Sequence, residues 1–196
     1  MLLVRSLIGQ LARDRPVDAS RVYAVGYSQG AMFSHRLACD LSDRLAAVAA
    51  VAGQLPRLVS SRCAPIRPIS LLMFHGTADP NVPWQGGLHL LSTPQTAERW
   101  AELNGCAGKA VDPLPDPAVD GTTVTRESYA NCARDVETVL YTIHNGGHTW
   151  PGSPLVFPDH YGPMTRDISA SELIGELFSR HFLAPHLVVR GGSDGM

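Results

Sequence analysis

The chain has 196 residues, and 44% of them are hydrophobic, which suffices for one domain with a buried core. Its formal net charge at pH 7 is -2, so the charge balance favours neither a nucleic acid nor an acidic membrane surface as partner. No apolar run is long enough to cross a bilayer, and the cysteines form no Cys-x-x-Cys pair of the kind that binds zinc. We therefore expect a globular domain that needs no metal and no cofactor.

Hydrophobic periodicity and turn residues divide the chain into helices and strands. The predicted elements are a helix over 2–14, strands over 21–26, 46–52, 69–75 and 136–143, and helices over 29–42, 93–104 and 169–183. The strands are continuously apolar and alternate with helices, which is typical of a parallel sheet buried on both faces. The pattern predicts one α/β domain over residues 1–186, with an irregular segment over 106–135 and a disordered tail over 187–196.

The segment Gly26-Tyr27-Ser28-Gln29-Gly30 stands between a predicted strand and a predicted helix, as a nucleophile elbow does. Such a turn strains the serine backbone and exposes its Oγ, and the two glycines avoid a collision within the turn. Ser28 would also lie at a helix N-terminus, where backbone N–H groups stabilise a developing oxyanion. The alternative interpretation is an ordinary glycine-rich turn between a strand and a helix.

A serine nucleophile needs a base and an acid that orients the base, and this fold has them in the order serine, acid, histidine. Asp79 follows the third predicted strand and His148 follows the fourth, each at the carboxyl end where the fold requires it. His144 is the alternative base because it lies nearer its strand, and Asp159 is the alternative acid. His75 ends its strand before the turn and is expected to pack or hydrogen-bond locally.

The four cysteines are Cys39, Cys63, Cys106 and Cys132. They allow two disulfides, in three connectivities, or four free buried thiols. Disulfides would indicate an oxidising compartment, whereas free thiols would indicate the cytosol. Their spacing alone does not decide between the two.

Three segments carry a resemblance to a known family, and they read RVYAVGYSQGAMFSHRLACDLSDRLAAVAAVAG, HGTADPNVPWQGG and HNGGHTWPG. They are similar to the secreted poly(3-hydroxybutyrate) depolymerase and feruloyl esterase family, carbohydrate esterase family 1, an α/β-hydrolase group. The resemblance runs from about residue 3 to residue 184. It implies the α/β-hydrolase fold and a serine esterase that acts on hydroxyalkanoate polyesters or feruloyl-type esters. It also implies an extracellular or periplasmic location for the parent protein.

The resemblance implies a role for each residue of the predicted site. Ser28 would be the nucleophile, His148 the general base and then acid, and Asp79 the residue that orients His148. The family motif GGHTWPG has its histidine at position 148, which favours His148 over His144. The backbone N–H of Gln29 would donate to the oxyanion.

Aromatic residues flank the predicted catalytic residues in sequence: Tyr27, Trp84 and Trp150. They are candidates for lining an acyl or aromatic pocket, and for the two tryptophans core packing beside the site is an equally good interpretation. The resemblance also implies the disulfides Cys39–Cys63 and Cys106–Cys132, because family members carry cysteines in similar places.

The chain departs from the family pattern at its N-terminus, where members carry further strands and a His-Gly loop that supplies a second oxyanion donor. We therefore expect an α/β-hydrolase fold whose N-terminal strands are missing. The strand over 21–26 would then be an apolar sheet edge, which invites pairing with a second copy of the chain.

Two other functions are compatible with the sequence. One is a non-catalytic remnant or binding domain of the same fold, which the N-terminal departure favours. The other is a peptidase or thioesterase, since the same three residues serve those reactions. The intact serine, acid and histidine favour an enzyme over a remnant.

Overall fold

The computed structural model describes residues 1–184 and contains a six-stranded sheet flanked by helices. The predicted tail over 187–196 lies outside the described residues. The helices are α1 (Leu2–Asp14), α2 (Gln29–Asp40), α3 (Arg57–Ser60), α4 (Thr93–Leu103) and α5 (Ala170–Arg180). The strands are β1 (Tyr23–Tyr27), β2 (Ala47–Val51), β3 (Ser70–Gly76), β4 (Gly108–Pro113), β5 (Thr123–Ala130) and β6 (Thr138–His144). Short 3₁₀ turns cover Ala133–Asp135 and Asp159–Tyr161.

The sheet has the strand order β1-β2-β3-β6-β5-β4, and its first four strands are parallel, as predicted. The prediction of an irregular segment over 106–135 was wrong, because β4 and β5 lie there and extend the sheet in antiparallel fashion. Within these two strands only Val124 is buried. Solvated antiparallel strands lack the continuous apolar run by which the other strands are recognised.

Side chains of the parallel strands alternate between two core layers, one on each face of the sheet. On one face Val48 packs with residues of α2 and α4, including the fully buried Trp100. On the other face Ala49 packs with Ile174 and Leu177 of α5. This two-layer arrangement leaves the carboxyl ends of β1, β2, β3 and β6 together at one edge of the sheet, since the four strands run in the same direction.

The edge predicted at the first strand is confirmed for residues 1–184, among which β1 pairs only with β2. Val25 at its centre is 49% exposed, and the neighbouring α1 has no buried residue. Pairing of this edge with a second copy stays a prediction. Among the described residues, no helix combines the length and the apolar character that crossing a membrane requires.

Both disulfides implied by the family resemblance are present. Cys39 of α2 is bonded to Cys63, which follows α3. Cys106, before β4, is bonded to Cys132, after β5. Each bond closes a loop of some two dozen residues and ties a segment that has few buried side chains to the domain.

A buried histidine joins α2 to α4. His35 is completely buried, and its Nδ1 accepts a hydrogen bond from Trp100 Nε1 at 3.0 Å. Its Nε2 lies 3.3 Å from the carbonyl oxygen of Gly53. Since a carbonyl oxygen only accepts, the ring proton belongs on Nε2. Burial lowers the pKa of His35 from 6.5 to about 4, so the ring is neutral in the folded protein.

We expect the buried His35 to weaken the fold in acid. Between pH 6.5 and about 4 the unfolded chain binds a proton at this residue that the folded chain does not, so stability falls as the pH falls. The loss is about 3 kcal/mol at full effect. Urea denaturation at pH 7 and pH 4.5 would measure it, with His35→Gln as the comparison. A pH dependence as steep in His35→Gln as in the wild type would contradict this assignment.

Candidate active site

Ser28 is the single residue between the end of β1 and the start of α2. Its backbone has φ 57° and ψ -118°, a left-handed conformation that residues with a side chain rarely adopt. The Ser28 N–H donates to the carbonyl oxygen of Val51 on β2 at 2.9 Å, which fixes the turn against the sheet. Strained backbone of this kind persists where the surrounding structure holds it, and it is common at active sites.

Close packing around the Ser28 turn requires two glycines. A Cβ atom on Gly26 would lie 2.1 Å from the backbone of Gly30, whereas a Cβ on Gly30 meets nothing within 4 Å. The predicted collision is therefore right for Gly26 and wrong for Gly30. The second required glycine is Gly53, where a Cβ would lie 2.4 Å from the carbonyl oxygen of Ser28.

The structure brings together the three residues that the sequence places at strand ends. His148 Nε2 lies 2.9 Å from Ser28 Oγ, and His148 Nδ1 lies 2.7 Å from Asp79 Oδ2. Asp79 follows β3 and His148 follows β6, and these strands are parallel neighbours. The other carboxylate oxygen, Asp79 Oδ1, accepts hydrogen bonds from the backbone N–H groups of Asn81 and Val82.

The loop that carries His148 is held by a segment that the sequence analysis did not single out. Gly147 donates its N–H to the carbonyl oxygen of Pro163, and His148 donates its N–H to that of Tyr161. The Tyr161 ring stacks on His148 with centroids 5.8 Å apart. The hydroxyl of Tyr27 donates to the His148 carbonyl oxygen at 2.6 Å, and burial raises the pKa of Tyr27 to about 12. These contacts fix the imidazole between the serine and the aspartate.

The alternative base and acid lie outside this hydrogen-bonded chain. His144 is exposed at the end of β6, and its Nε2 lies 3.1 Å from Thr125 Oγ1. Asp159 is exposed at the start of the 3₁₀ turn that follows Pro158. By contrast, His148 is 3% exposed and Asp79 is 6% exposed. Hydrogen-bond geometry and burial therefore favour His148 and Asp79 over His144 and Asp159.

The start of α2 presents backbone donors beside Ser28. Gln29 is the first residue of this helix, so its N–H has no acceptor within the helix. Gln29 and Gly30 are both exposed, which leaves this helix terminus open to a substrate. A negative charge that develops next to Ser28 Oγ would be stabilised there.

The three aromatic candidates have different surroundings. Trp84 packs against the core layer of α2 and α4 and lies edge-on to His75, with ring centroids 6.0 Å apart. Trp150 packs against the α5 layer and donates its Nε1–H to Ser171 Oγ. Tyr27 lines an open cavity beside the site, and its ring centroid lies 6.5 Å from that of Trp150. Contact of either tryptophan with a substrate stays a prediction.

That cavity, here called the apolar groove, has a volume of about 300 Å³. Its lining residues are Tyr27, Leu155, Val156, Phe157, Pro158 and Tyr161. Leu155 is 71% exposed and Val156 is 91% exposed. Ring centroids of Phe157 lie 6.2 Å from Tyr27 and 6.0 Å from Tyr161, and both of those rings also contact His148. The groove therefore lies next to His148, which two of its lining rings contact.

Comparison with known proteins identifies the family. The model of a family described as Phospholipase/Carboxylesterase matches residues 1–100, which is half of the chain. The chain belongs to this phospholipase/carboxylesterase family. Its fold is the α/β-hydrolase fold predicted from the sequence, with a mixed rather than an all-parallel sheet. The expected similarity to esterases is confirmed.

Among the relatives of this phospholipase/carboxylesterase chain is a protein of Nocardia uniformis subsp. tsuyamanensis named "Putative esterase NocK". It is 33% identical over 185 residues, which cover 86% of this chain and 54% of the relative. "Feruloyl esterase B" of Piromyces equi is 33% identical over 155 residues, covering 74% of this chain and 28% of the relative. The chain thus spans about half, or less, of the length of these curated relatives.

A solved structure shares the fold. It is that of the acetyl xylan esterase from Aspergillus awamori, with a TM-score of 0.58 and 16% sequence identity. The match covers 90% of this chain and 65% of that one. At this identity the likeness shows the common architecture of sheet and helices.

Proposed function

We propose that the chain is a carboxylic ester hydrolase in which Ser28, His148 and Asp79 form the catalytic triad. The observation that carries this proposal is the hydrogen-bonded chain from Ser28 Oγ through His148 to Asp79, at the carboxyl edge of a parallel sheet. Membership of the phospholipase/carboxylesterase family and similarity to named esterases support it. Disorder or separation of these three residues would be expected of a remnant, and here they are ordered and in contact.

The geometry suits acyl transfer. Ser28 Oγ attacks the ester carbonyl carbon while His148 Nε2 accepts its proton, and the carbonyl oxygen becomes an oxyanion beside the Gln29 N–H. His148 then protonates the departing alkoxide, which leaves an acyl group bonded to Ser28. Water attacks this acyl-enzyme as His148 takes its proton, and the acid is released with the proton returned to Ser28. Asp79 accepts the Nδ1–H throughout and stabilises the imidazolium.

Loss of hydrolysis in Ser28→Ala is the direct test. We expect the wild type to hydrolyse p-nitrophenyl butyrate and Ser28→Ala to be slower by at least about 10³-fold, because no other residue supplies the nucleophile. Ser6→Ala, a change on the exposed surface of α1, is the matched control and should retain full activity. Equal rates in the wild type and Ser28→Ala would favour a binding domain. Faster turnover of a matched anilide or thioester than of the ester would favour a peptidase or thioesterase.

The apolar groove supports an aromatic acyl group as the substrate's acid part. Phe157 and Tyr161 meet edge to face, and Tyr27, which precedes Ser28 in the chain, is the third aromatic ring of the groove. A flat ring among three aromatic side chains gains edge-to-face contacts that an aliphatic chain does not. Feruloyl-type esters are therefore the favoured substrates, and hydroxyalkanoate polyesters are the second candidate because the exposed Leu155 and Val156 offer them an apolar surface.

Shortening Phe157 should separate aromatic from small substrates. We expect Phe157→Ala to lower kcat/KM for p-nitrophenyl ferulate by about tenfold or more, through loss of one aromatic contact, and to leave p-nitrophenyl acetate nearly unchanged. Steady-state kinetics on both esters measures the difference. Phe182→Ala, at an exposed position after α5, is the control. An equal decrease on both esters would show that Phe157 supports the fold rather than the substrate.

The two disulfides support an oxidising compartment, hence an extracellular or periplasmic location.

The exposed β1 edge supports association with a second copy, which analytical ultracentrifugation of the wild type and of Val25→Lys would test. A monomeric wild type would exclude such pairing at the concentration used.

A further inference from the structure

A second buried histidine lies beside the carboxylate of Asp79, near the same oxygen that His148 bonds. His75 is the penultimate residue of β3 and is 3% exposed. Its Nε2 lies 2.8 Å from the carbonyl oxygen of Val82. Because that oxygen only accepts, the His75 ring proton belongs on Nε2. The Nε2 atom also lies 3.5 Å from Asp79 Oδ2.

His75 therefore donates its Nε2–H to the carbonyl oxygen of Val82, while the same nitrogen lies 3.5 Å from Asp79 Oδ2 without a hydrogen bond to it. Val82 donates its backbone N–H to Asp79 Oδ1 at 2.8 Å and accepts from His75 through its carbonyl oxygen. Val82, the last residue of the turn over 79–82, is thus hydrogen-bonded to Asp79 through its N–H and to His75 through its carbonyl oxygen. Asp79 Oδ2, which faces His75, is the oxygen that bonds His148 Nδ1 at 2.7 Å.

We propose that His75 is a positioning residue, which holds the turn over 79–82 so that Asp79 Oδ2 faces His148. This rests on the proposed function, in which Asp79 orients the base. His75 acts through Asp79 and does not itself touch the reacting atoms. The chain of contacts thus has four members and runs from His75 to Asp79, His148 and Ser28.

His75 stays neutral during the proposed reaction, whereas His148 gains and then loses a proton. Burial lowers the pKa of His75, against smaller raising effects from Val82 and Asp79, and His148 lowers it further. His75 therefore stays a neutral N–H donor at the pH of catalysis. A neutral His75 ring holds Val82 through its N–H and adds no second positive charge beside Asp79 that would compete with the imidazolium formed at His148.

Three substitutions of His75 distinguish a role in positioning Asp79 from a role in packing alone. His75→Gln keeps an N–H donor at the place of Nε2, His75→Asn keeps polarity but falls short of Val82, and His75→Phe keeps the ring volume. We expect His75→Asn and His75→Phe to lower kcat by about 10- to 100-fold with KM unchanged, since the aspartate is misplaced rather than lost. The acid limb of their kcat/KM profiles should move to lower pH, because the imidazolium is less stabilised. His75→Gln should restore both quantities to near wild type.

A measurement that needs no turnover keeps this test separate from the test of the esterase function. The proton between His148 Nδ1 and Asp79 should give a far-downfield ¹H NMR resonance in the wild type and in His75→Gln, and a lost or broadened one in His75→Asn and His75→Phe. If the wild type and Ser28→Ala hydrolyse esters equally, the esterase proposal fails while this comparison still stands.

The positioning role is overturned by either of two results. One is a resonance and a pH profile unchanged in His75→Asn. The other is a loss in His75→Gln as large as in His75→Phe, which would indicate packing alone. Circular dichroism and thermal melts identify a variant that fails to fold. If His75→Phe fails to fold, the comparison of His75→Gln with His75→Asn, both polar amides, decides between positioning and packing.

Discussion

We expect His148→Ala to abolish ester hydrolysis and His144→Ala to leave it nearly intact. We expect a decrease of about 10⁴- to 10⁶-fold in kcat for His148→Ala, because the serine then has no base at hydrogen-bond distance. The physical reason is the 2.9 Å contact between His148 Nε2 and Ser28 Oγ, which no other described histidine makes. Initial rates with p-nitrophenyl butyrate over the same range of enzyme concentration measure both variants.

The pair of histidines makes a matched comparison, since His144 is the last residue of β6 and His148 lies four positions further along the chain. His144 contacts Thr125 on the neighbouring strand and is exposed, so its loss should cost little stability and little activity. Thermal melts of both variants would separate loss of the base from loss of the fold. Full activity in His148→Ala together with loss in His144→Ala would reverse the assignment and would require the loop after β6 to rearrange.

The parallel half of the sheet could be predicted from the sequence because each of its strands is a continuous apolar run. Residues 46–52 and 69–75 are buried on both faces in the structure, as their composition requires. β4 and β5 were not predicted because antiparallel pairing, of β5 with β6 and of β4 with β5, holds them in the sheet with little burial of their side chains. Polar residues such as Lys109 and Glu127 then occupy strand positions, and their cross-strand ion pair is visible only once the register is known.

The three central residues of the site could be predicted for a related reason. Each follows directly on a strand, so local sequence and the rule that parallel strands end at one edge suffice to bring them together. The residues that hold them were missed because their contacts are distant in sequence. Gly53, after β2, leaves room for the Ser28 carbonyl oxygen, and the Tyr161 carbonyl oxygen accepts from the His148 N–H. The spacing of residues along the sequence does not predict such contacts.

Asp79→Asn is expected to lower kcat by about 10⁴-fold while the fold is retained. Asp79 Oδ1 accepts from the N–H groups of Asn81 and Val82, so the oxygen of the new amide must occupy that position. The amide nitrogen then faces His148 Nδ1 and donates to it. This forces the imidazole proton onto Nε2, and a protonated Nε2 has no lone pair with which to take the proton of Ser28.

The same substitution also places an amide NH₂ group, instead of a carboxylate oxygen, 3.5 Å from His75 Nε2. Asp159→Asn, at the exposed alternative acid, is the matched control and should keep wild-type turnover. Stopped-flow or steady-state rates at pH 8 with parallel thermal melts measure the effect. Turnover near the wild-type level in Asp79→Asn would show that another acid orients the base. A loss shared by Asp159→Asn would point to the loop that carries Tyr161.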